Sequence, residues 1–388
     1  EKNMSKKKKI LLTILTLIVV YFIWLGVPLI RFKTYESTSS DTNNIQSKNK
    51  SPFEIEGAYH MHSTCSDGLK PVDKIAKFAS DASLDFIILT DHGKPNFASL
   101  ACQGWKEGIL VLAGSELSVS RGHLVGLDFG IPSRSFSQNA EQAANQIKAL
   151  NGFSVIAHPY SKVRWSWGIY TNYSGIEIIN GDTMLRKNIP LSILRLPTLL
   201  IKPQYPLLKT LRRPEKNIKK WDMLTSKHTV FAYFAVDAHM LYRHLFSLLR
   251  LHLLLNEPLS NEFEKAKNQV YNALRNGRFF NVIEGAGRGE GFRFSAKKGN
   301  KTIHMGSTVI MNSPVTLHID VPFPFAKEVH LVHNGEKVLK TYKNSVSYPA
   351  EKQGTYRVEV YLREKSPLKR DVPWILSNPI FLRRKSNE

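Results

Sequence analysis

Cysteine is nearly absent from this chain. Two thiols, Cys65 and Cys102, among 388 residues exclude a disulfide framework and a thiolate zinc motif, so any bound metal must be held by His, Asp and Glu. Acidic residues are scarce as well: 32 Asp and Glu stand against 54 Lys and Arg, a formal charge of +22. That balance favours anionic partners, whether phosphorylated substrates, nucleic acid or anionic lipid headgroups, and by itself selects none of them. No internal repeat is visible. Apolar residues make up 42% of the chain, enough to bury a core and to exclude wholesale disorder.

Long apolar runs are absent except at the N-terminus. Four lysines, Lys6 to Lys9, precede an uncharged segment from Ile10 to Ile30. About 20 such residues cross a hydrocarbon core of roughly 30 Å. No Ala-x-Ala-like cleavage site follows, so residues 1–33 read as an uncleaved single-pass anchor rather than a leader or a core helix. Five lysines precede the segment and only Arg31 and Lys33 closely follow it. The positive-inside tendency then keeps the N-terminus cytoplasmic and sends the rest outside, to a periplasm or cell surface. Residues 34–52 are polar and form a tether.

Residues 53–287 alternate β-type runs ("FIILTDH", "GILVLAGSEL", "GFSVIAHPY", "GIEIING", "TVFAYFAVDAH") with helical ones ("PVDKIAKFASDAS", "NAEQAANQIKALN"). Such repetition predicts an α/β domain with a parallel sheet or barrel, whose site lies at the carboxyl ends of its strands. Residues 288–388 carry short β-type segments without helices, predicting an antiparallel β-sandwich. "LYRHLFSLLRLHLLL", residues 241–255, is too short and too charged to span a bilayer and reads as a core helix.

His60, His62, Asp67, His92, Glu116, His123, His158, Asp237 and His239 stand in loops or after apolar runs. Taken singly each has a bland reading: a surface or core histidine, or a solvated carboxylate. Taken in order, nine imidazoles and carboxylates exceed the needs of one ion and suit two or three divalent metals such as Zn, Mn or Fe. On a strand of period two, His60 and His62 would face one side and grip one ion. Seven other histidines, His252 among them, fall outside the pattern and read as structural or surface residues.

In order, "YHMHSTCSDG", "ILTDHG", "GSELS" with "GHLVGL", "IAHPY" and "VDAH" resemble the motifs of the PHP superfamily, named for polymerase and histidinol phosphatase. The tail ("ALRNGRFFNVIEG", "GTYRVEVY", "WILSNPIFL") is similar to the carbaryl-hydrolase-like branch of that superfamily. The resemblance implies a distorted seven-stranded PHP-type β/α barrel with a di- or trinuclear metal site. It implies that His60, His62, Glu116 and Asp237 help hold one ion, Glu116, His123 and His158 a second, and Asp67, His92 and His239 a third. Ala58 stands where many members carry an aspartate two residues before the first histidine, and Gly93 where many have an acidic or amide residue. The reaction expected is attack by a metal-bridging hydroxide on phosphorus or a carbonyl carbon, with His60, His62, Glu116, His158 and Asp237 the candidate catalytic residues. Lys94, Arg121, Lys162 and Arg164 are candidate phosphate-binding cations.

A phosphoesterase is the first reading. An amide- or carbamate-type metallohydrolase and a noncatalytic metal-binding PHP module for lipid or a polyanion are the alternatives. Predicted export and the lack of a recognition motif argue against nucleic acid. Residues 186–221 form an insertion with ten basic residues, one acidic residue and prolines that forbid a single long helix. It would rest on anionic lipid, cover the site, or dock on the barrel through its leucines.

Overall fold

The computed structural model describes residues 5–31, 53–161, 172–188, 193–202, 204–299, 301–311, 315–321, 327–363, 366 and 368–384. The polar tether 34–52 and the candidate cations Lys162 and Arg164 lie outside the described residues. Lys6–Arg31 forms one helix, and an 18-residue window within Lys6–Ile30 has a mean hydropathy of 2.7. It is long and apolar enough to cross a membrane, a property that signal sequences share.

From Phe53 onward the chain is a mixed α/β structure. Parallel pairing joins Phe53–Met61 to Phe86–Leu89, and Phe86–Leu89 to Ile109–Ala113. It also joins Phe153–Ala157 to Gly175–Asn180, and that strand to Phe231–Ala235. Five of these strands, Phe86–Leu89, Ile109–Ala113, Phe153–Ala157, Gly175–Asn180 and Phe231–Ala235, are buried along their whole length, which is why they read as mainly apolar runs rather than alternating ones. The helix Val72–Asp81 turns Val72, Ile75, Ala76 and Ala79 inward, a 3-4 spacing that makes one apolar stripe. Asn139 starts the helix Ala140–Ala149 by accepting from Gln142 N at 3.0 Å. Asn151 follows its end at φ 63°, the left-handed position that asparagine tolerates.

Among the described residues the strands of the expected seven-stranded barrel fall into two sheets, joined at both seams by isolated bridges, His92 to Glu116 and Met61 to Ala238. Ser115–Val119, Gly122–Leu127, Phe153–Ala157, Gly175–Asn180 and Phe231–Ala235 make a five-stranded sheet, whereas Phe53–Met61, Phe86–Leu89 and Ile109–Ala113 belong to a larger one. At one seam Gly114 separates Ile109–Ala113 from Ser115–Val119, and a Cβ there would meet Gly126 O at 2.2 Å. The other seam is bridged by Val236 N donating to Tyr59 O and His62 N donating to Ala238 O, both at 3.0 Å.

Phe231–Ala235 is the end strand of its sheet, and its free edge is satisfied by two buried asparagines. Ala232 N donates to Asn378 Oδ1 and Phe234 N to Asn281 Oδ1, both at 2.7 Å, while Asn281 Nδ2 returns a bond to Ala232 O at 3.0 Å. A residue from the far C-terminus therefore helps to hold the strand that runs into Asp237.

Two expectations are corrected by the tertiary structure. Residues 241–255 are a short helix, Tyr242–Phe246, followed by a strand, Arg250–Leu255, paired antiparallel with Phe53–Met61. The leucine run lacks helical periodicity because both faces of that strand are buried. The C-terminal strands do not make a separate antiparallel sandwich either. One group, Arg293–Lys298, Lys301–His304, Val315–Asp320 and Ser345–Ala350, is an antiparallel four-stranded sheet. The rest continue the larger sheet through Ile375–Ser377 on Phe279–Val282, with Thr308–Met311 parallel to Ile380–Arg384.

His252 is fully buried in the strand Arg250–Leu255. Its Nδ1 lies 2.8 Å from Glu54 Oε1 and its Nε2 3.3 Å from Glu284 Oε2. Burial disfavours its charged form, yet Glu56, Glu284 and Glu54 outweigh that and push its pKa up to about 10. Arg250, Arg288 and Arg293 pair with Glu56 and Glu54 beside it, so the cluster balances its own charge.

Candidate metal centre

Seven of the nine candidate ligands come from the end of a strand or the loop beyond it, while Glu116 and His123 stand one residue into Ser115–Val119 and Gly122–Leu127. Glu116 is at the centre, in Ser115–Val119 with its side chain 1% exposed. Its Oε1 lies 2.8 Å from both His123 Nδ1 and His158 Nε2. Its Oε2 lies 3.3 Å from His60 Nε2, 3.2 Å from His62 Nε2 and 3.4 Å from His92 Nδ1. Asp237 Oδ1 stands 3.4 Å from Nε2 of both His60 and His62. At the open side Asp67, 55% exposed, places Oδ2 3.2 Å from His239 Nε2 and 3.7 Å from His92 Nε2, and Oδ1 3.4 Å from His62 Nδ1.

His60 and His62 converge through a bulge rather than through simple strand alternation. The register with Phe86–Leu89 shifts between Tyr59 and Met61, His60 has φ 68°, and His62 lies past the last strand residue. His158 (φ 24°) and Asp237 (φ 48°) are also left-handed. Such positions cost roughly 1–3 kcal/mol each in non-glycine residues and cluster where function demands them.

Packing around the ring aims it. Glu177, buried in Gly175–Asn180, sets Oε1 2.5 Å from His60 Nδ1 and accepts from His158 N at 2.8 Å and Asn180 Nδ2 at 2.9 Å. It supplies a carboxylate behind His60 on the side away from Glu116. Its sequence signal was a lone acid inside an apolar strand, "GIEIING". Asp91 accepts from Ser63 N at 2.6 Å, Ser63 Oγ at 2.9 Å and Ser66 Oγ at 2.7 Å, which shapes the loop that carries Asp67. Tyr242 Oη lies 2.7 Å from His62 O and 2.8 Å from His239 O.

Among the candidate cations, Lys94 is half-buried two residues after His92, and its carbonyl accepts from Phe136 N at 3.0 Å. Arg121 is exposed at φ 70° in the turn before His123. Neither makes an ion pair among the described residues. Arg186, which sequence reasoning passed over, pairs with Asp182, and that pairing raises its pKa, with Asp237 and Asp67 adding to the effect. This guanidinium therefore stands within the field of the centre.

The donor set fits divalent metal. His62 Nε2 and His92 Nδ1 are buried without a hydrogen bond; their approaches to Glu116 Oε2 lack hydrogen-bond geometry, as nitrogens aimed at a shared point would. Imidazole nitrogen and carboxylate oxygen suit Zn, Mn or Fe. Burial opposes ionisation of Glu116, but His60, His123 and His158 hold its carboxyl well below the usual range. Burial likewise opposes charge on His62 and His158; Asp237 and Glu116 for the first, and Glu116 foremost for the second, push both up to about 9.

Those raised values give a pH prediction. In the metal-free chain His62 and His158 hold protons below about pH 9, and a metal must displace them to bind. Apparent affinity should therefore climb from pH 6.5 toward 9, approaching tenfold per unit for each displaced proton, and level off above. Calorimetric titration at pH 7 in buffers of different ionisation heat should show net proton release; binding equally tight at pH 6.5 and 9 would refute this.

No protein-family model and no curated protein matches the chain. Among solved structures it is similar to a two-domain protein from Bacteroides vulgatus containing a predicted PHP-like metal-dependent phosphoesterase. That match has 16% identity over 84% of this chain and 95% of that one, with a TM-score of 0.44. It is also similar to an amidohydrolase from Chromobacterium violaceum with bound sulfate and no metal, at 17% identity over 47% of this chain and 87% of that one, with a TM-score of 0.31.

Proposed function

We propose that the chain is a membrane-anchored, extracytoplasmic metal-dependent hydrolase of phosphoesters, with its centre in residues 53–287 and residues 288–388 as a C-terminal unit that shares its larger sheet. One observation carries the reading: a buried carboxylate, Glu116, faces two imidazoles through one oxygen and three through the other. His60, His62, Glu116 and Asp237 would hold one divalent ion, Glu116, His123 and His158 a second, and Asp67, His92 and His239 a third. Divalent ions held there would supply Lewis acidity, activating water at neutral pH and offsetting negative charge on substrate oxygens.

The chain's own residues prepare that site. Glu177 Oε1, 2.5 Å from His60 Nδ1, would accept that nitrogen's proton and so present Nε2 to a bound ion. Ser161 Oγ, 3.1 Å from His158 Nδ1, orients that ring in the same way. Three carboxylates, Asp67, Glu116 and Asp237, would face two or three divalent charges, 4 − 3 = +1 or 6 − 3 = +3. This surplus, with Arg186 at the margin, favours an anionic phosphoester over a neutral amide or carbamate.

The test is turnover of a generic aryl phosphate by the full chain in detergent, with and without added Zn, Mn or Fe, beside phosphodiester, carbamate and amide panels. Metal-dependent phosphate release, lost in His158→Ala with the circular dichroism spectrum retained, is expected. Turnover confined to carbamates or amides would make it the other hydrolase, and tight liposome binding with no turnover would make it a binding module.

A further inference from the structure

The insertion divides into a part that docks and a part that protrudes. Tyr205, Leu207, Leu208 and Leu211 are buried, so the segment around the helix Gln204–Thr210 docks through its leucines. Just before it, Ile193, Leu194, Leu200 and Ile201 are 58%, 51%, 93% and 69% exposed. Four large apolar side chains within nine residues would stand in water at a continuing cost if nothing covered them.

Their neighbour is the N-terminal helix. Tyr21 Oη donates to Leu194 O at 2.8 Å, the Arg195 guanidinium lies 5.1 Å from the centre of the Trp24 ring, and Lys202 Nζ donates to Leu29 O at 3.0 Å. Leu25 and Leu29 are buried, in contrast to the exposed Leu11, Leu15 and Leu17 at the other end of the same helix. The Lys202 contact has a physical logic: Leu29 O is among the last carbonyls of Lys6–Arg31, which have no partner within the helix and carry its negative pole.

Helix length fixes the depth of these contacts. Lys6 to Lys9 cannot enter hydrocarbon, so the span starts near Ile10. Ending it at Trp24, below the insertion, would leave fifteen residues or about 22 Å, short of the roughly 30 Å required. The span must continue toward Ile30, which carries Tyr21 and Trp24, and Leu194 and Arg195 with them, into the outer leaflet. Tyr21 lies nine residues before Ile30, about 13 Å along the helix.

We propose that residues 193–202 are a second membrane contact, a foot that buries Ile193, Leu194, Leu200 and Ile201 among lipid acyl chains while Arg195 and Lys202 reach toward headgroup phosphate. This rests on the reading of Lys6–Arg31 as a membrane span. Long cationic side chains with apolar stems suit that boundary, and the +22 chain favours an anionic leaflet.

Site-directed spin labels on the full chain in phosphatidylglycerol-containing vesicles test it, in a Cys65→Ser, Cys102→Ser background. Labels enter singly at Leu200→Cys, at Leu15→Cys within the helix, and at Ile131→Cys, an 83% exposed position far from both in sequence. Because Leu15, Ile131 and Leu200 are all exposed, the labels need no repacking of the core. The ratio of collision with dissolved oxygen to collision with a water-soluble nickel chelate should be several-fold higher at 200 than at 131, and of the same order as at 15. A lipid-like value at 15 with an aqueous value at 200 would overturn the foot and leave the anchor standing. An aqueous value at 15 would overturn the anchor and the foot together. Shielding at 200 from both agents, with spin–spin broadening, would put a second copy of the chain on this surface and overturn the lipid assignment.

Discussion

Glu116→Gln is expected to empty the centre. The substitution keeps the shape of the side chain but removes the one charge that faces His123 and His158 through Oε1 and His60, His62 and His92 through Oε2. An amide cannot present two anionic oxygens, so both ions that would share Glu116 lose a bridging donor. Elemental analysis should show at most one ion per chain, against the two or three expected of the parent. Hydrolysis should fall by about 10³-fold or more, at least the scale seen when one charge-stabilising group is removed from a transition state. His158→Ala should be milder in metal content, because its Nε2 faces only one of the two Glu116 oxygens, Oε1. A Glu116→Gln chain with full metal content and parental turnover would end the shared-carboxylate reading.

Glu177→Gln should produce a different phenotype, a weakened centre rather than an empty one. Glu177 touches no open side of the ring; it acts through His60 Nδ1 and the backbone of His158. A glutamine keeps one acceptor oxygen but loses the charge, and its amide nitrogen competes for the same place, so His60 loses its fixed tautomer and orientation. Metal affinity should fall about 10- to 100-fold, the usual effect of removing an outer-sphere carboxylate. Excess metal should restore turnover in Glu177→Gln and fail to do so in Glu116→Gln. Failure of excess metal to rescue a folded Glu177→Gln chain would move this residue from positioning into the chemistry itself. Asp91 and Tyr242 are of the same positioning kind, since they hold the loop of Asp67 and the backbone of His62 and His239.

Local sequence carried the elements more faithfully than their assembly. "FIILTDH", "GFSVIAHPY" and "TVFAYFAVDAH" read as strands because buried parallel strands are continuous apolar runs, and the polar residues that end them are those the structure gathers. The same rule failed at residues 241–255, where leucines without period admit a helix or a buried strand and only pairing with Phe53–Met61 decides. It failed again at the C-terminus, where short alternating strands specify antiparallel neighbours but not that Ile375–Ser377 extends the sheet of Phe279–Val282.

By itself the sequence determined the chemical inventory of this protein: which acids and imidazoles stand after which strands, the cysteine poverty that leaves a metal no thiolate motif, and an N-terminal helix apolar enough for a bilayer. Only the tertiary structure decided that Glu116 is the hub, that Glu177 stands behind His60, that a bulge turns His60 inward, and that residues 193–202 lean on the N-terminal helix. The reason is the range of the forces involved. Side-chain period and turn propensity act over a few residues and are written in order along the chain. The aim of a carboxylate oxygen is set by hydrogen bonds and packing between segments far apart in sequence, which exist only once the sheets have closed.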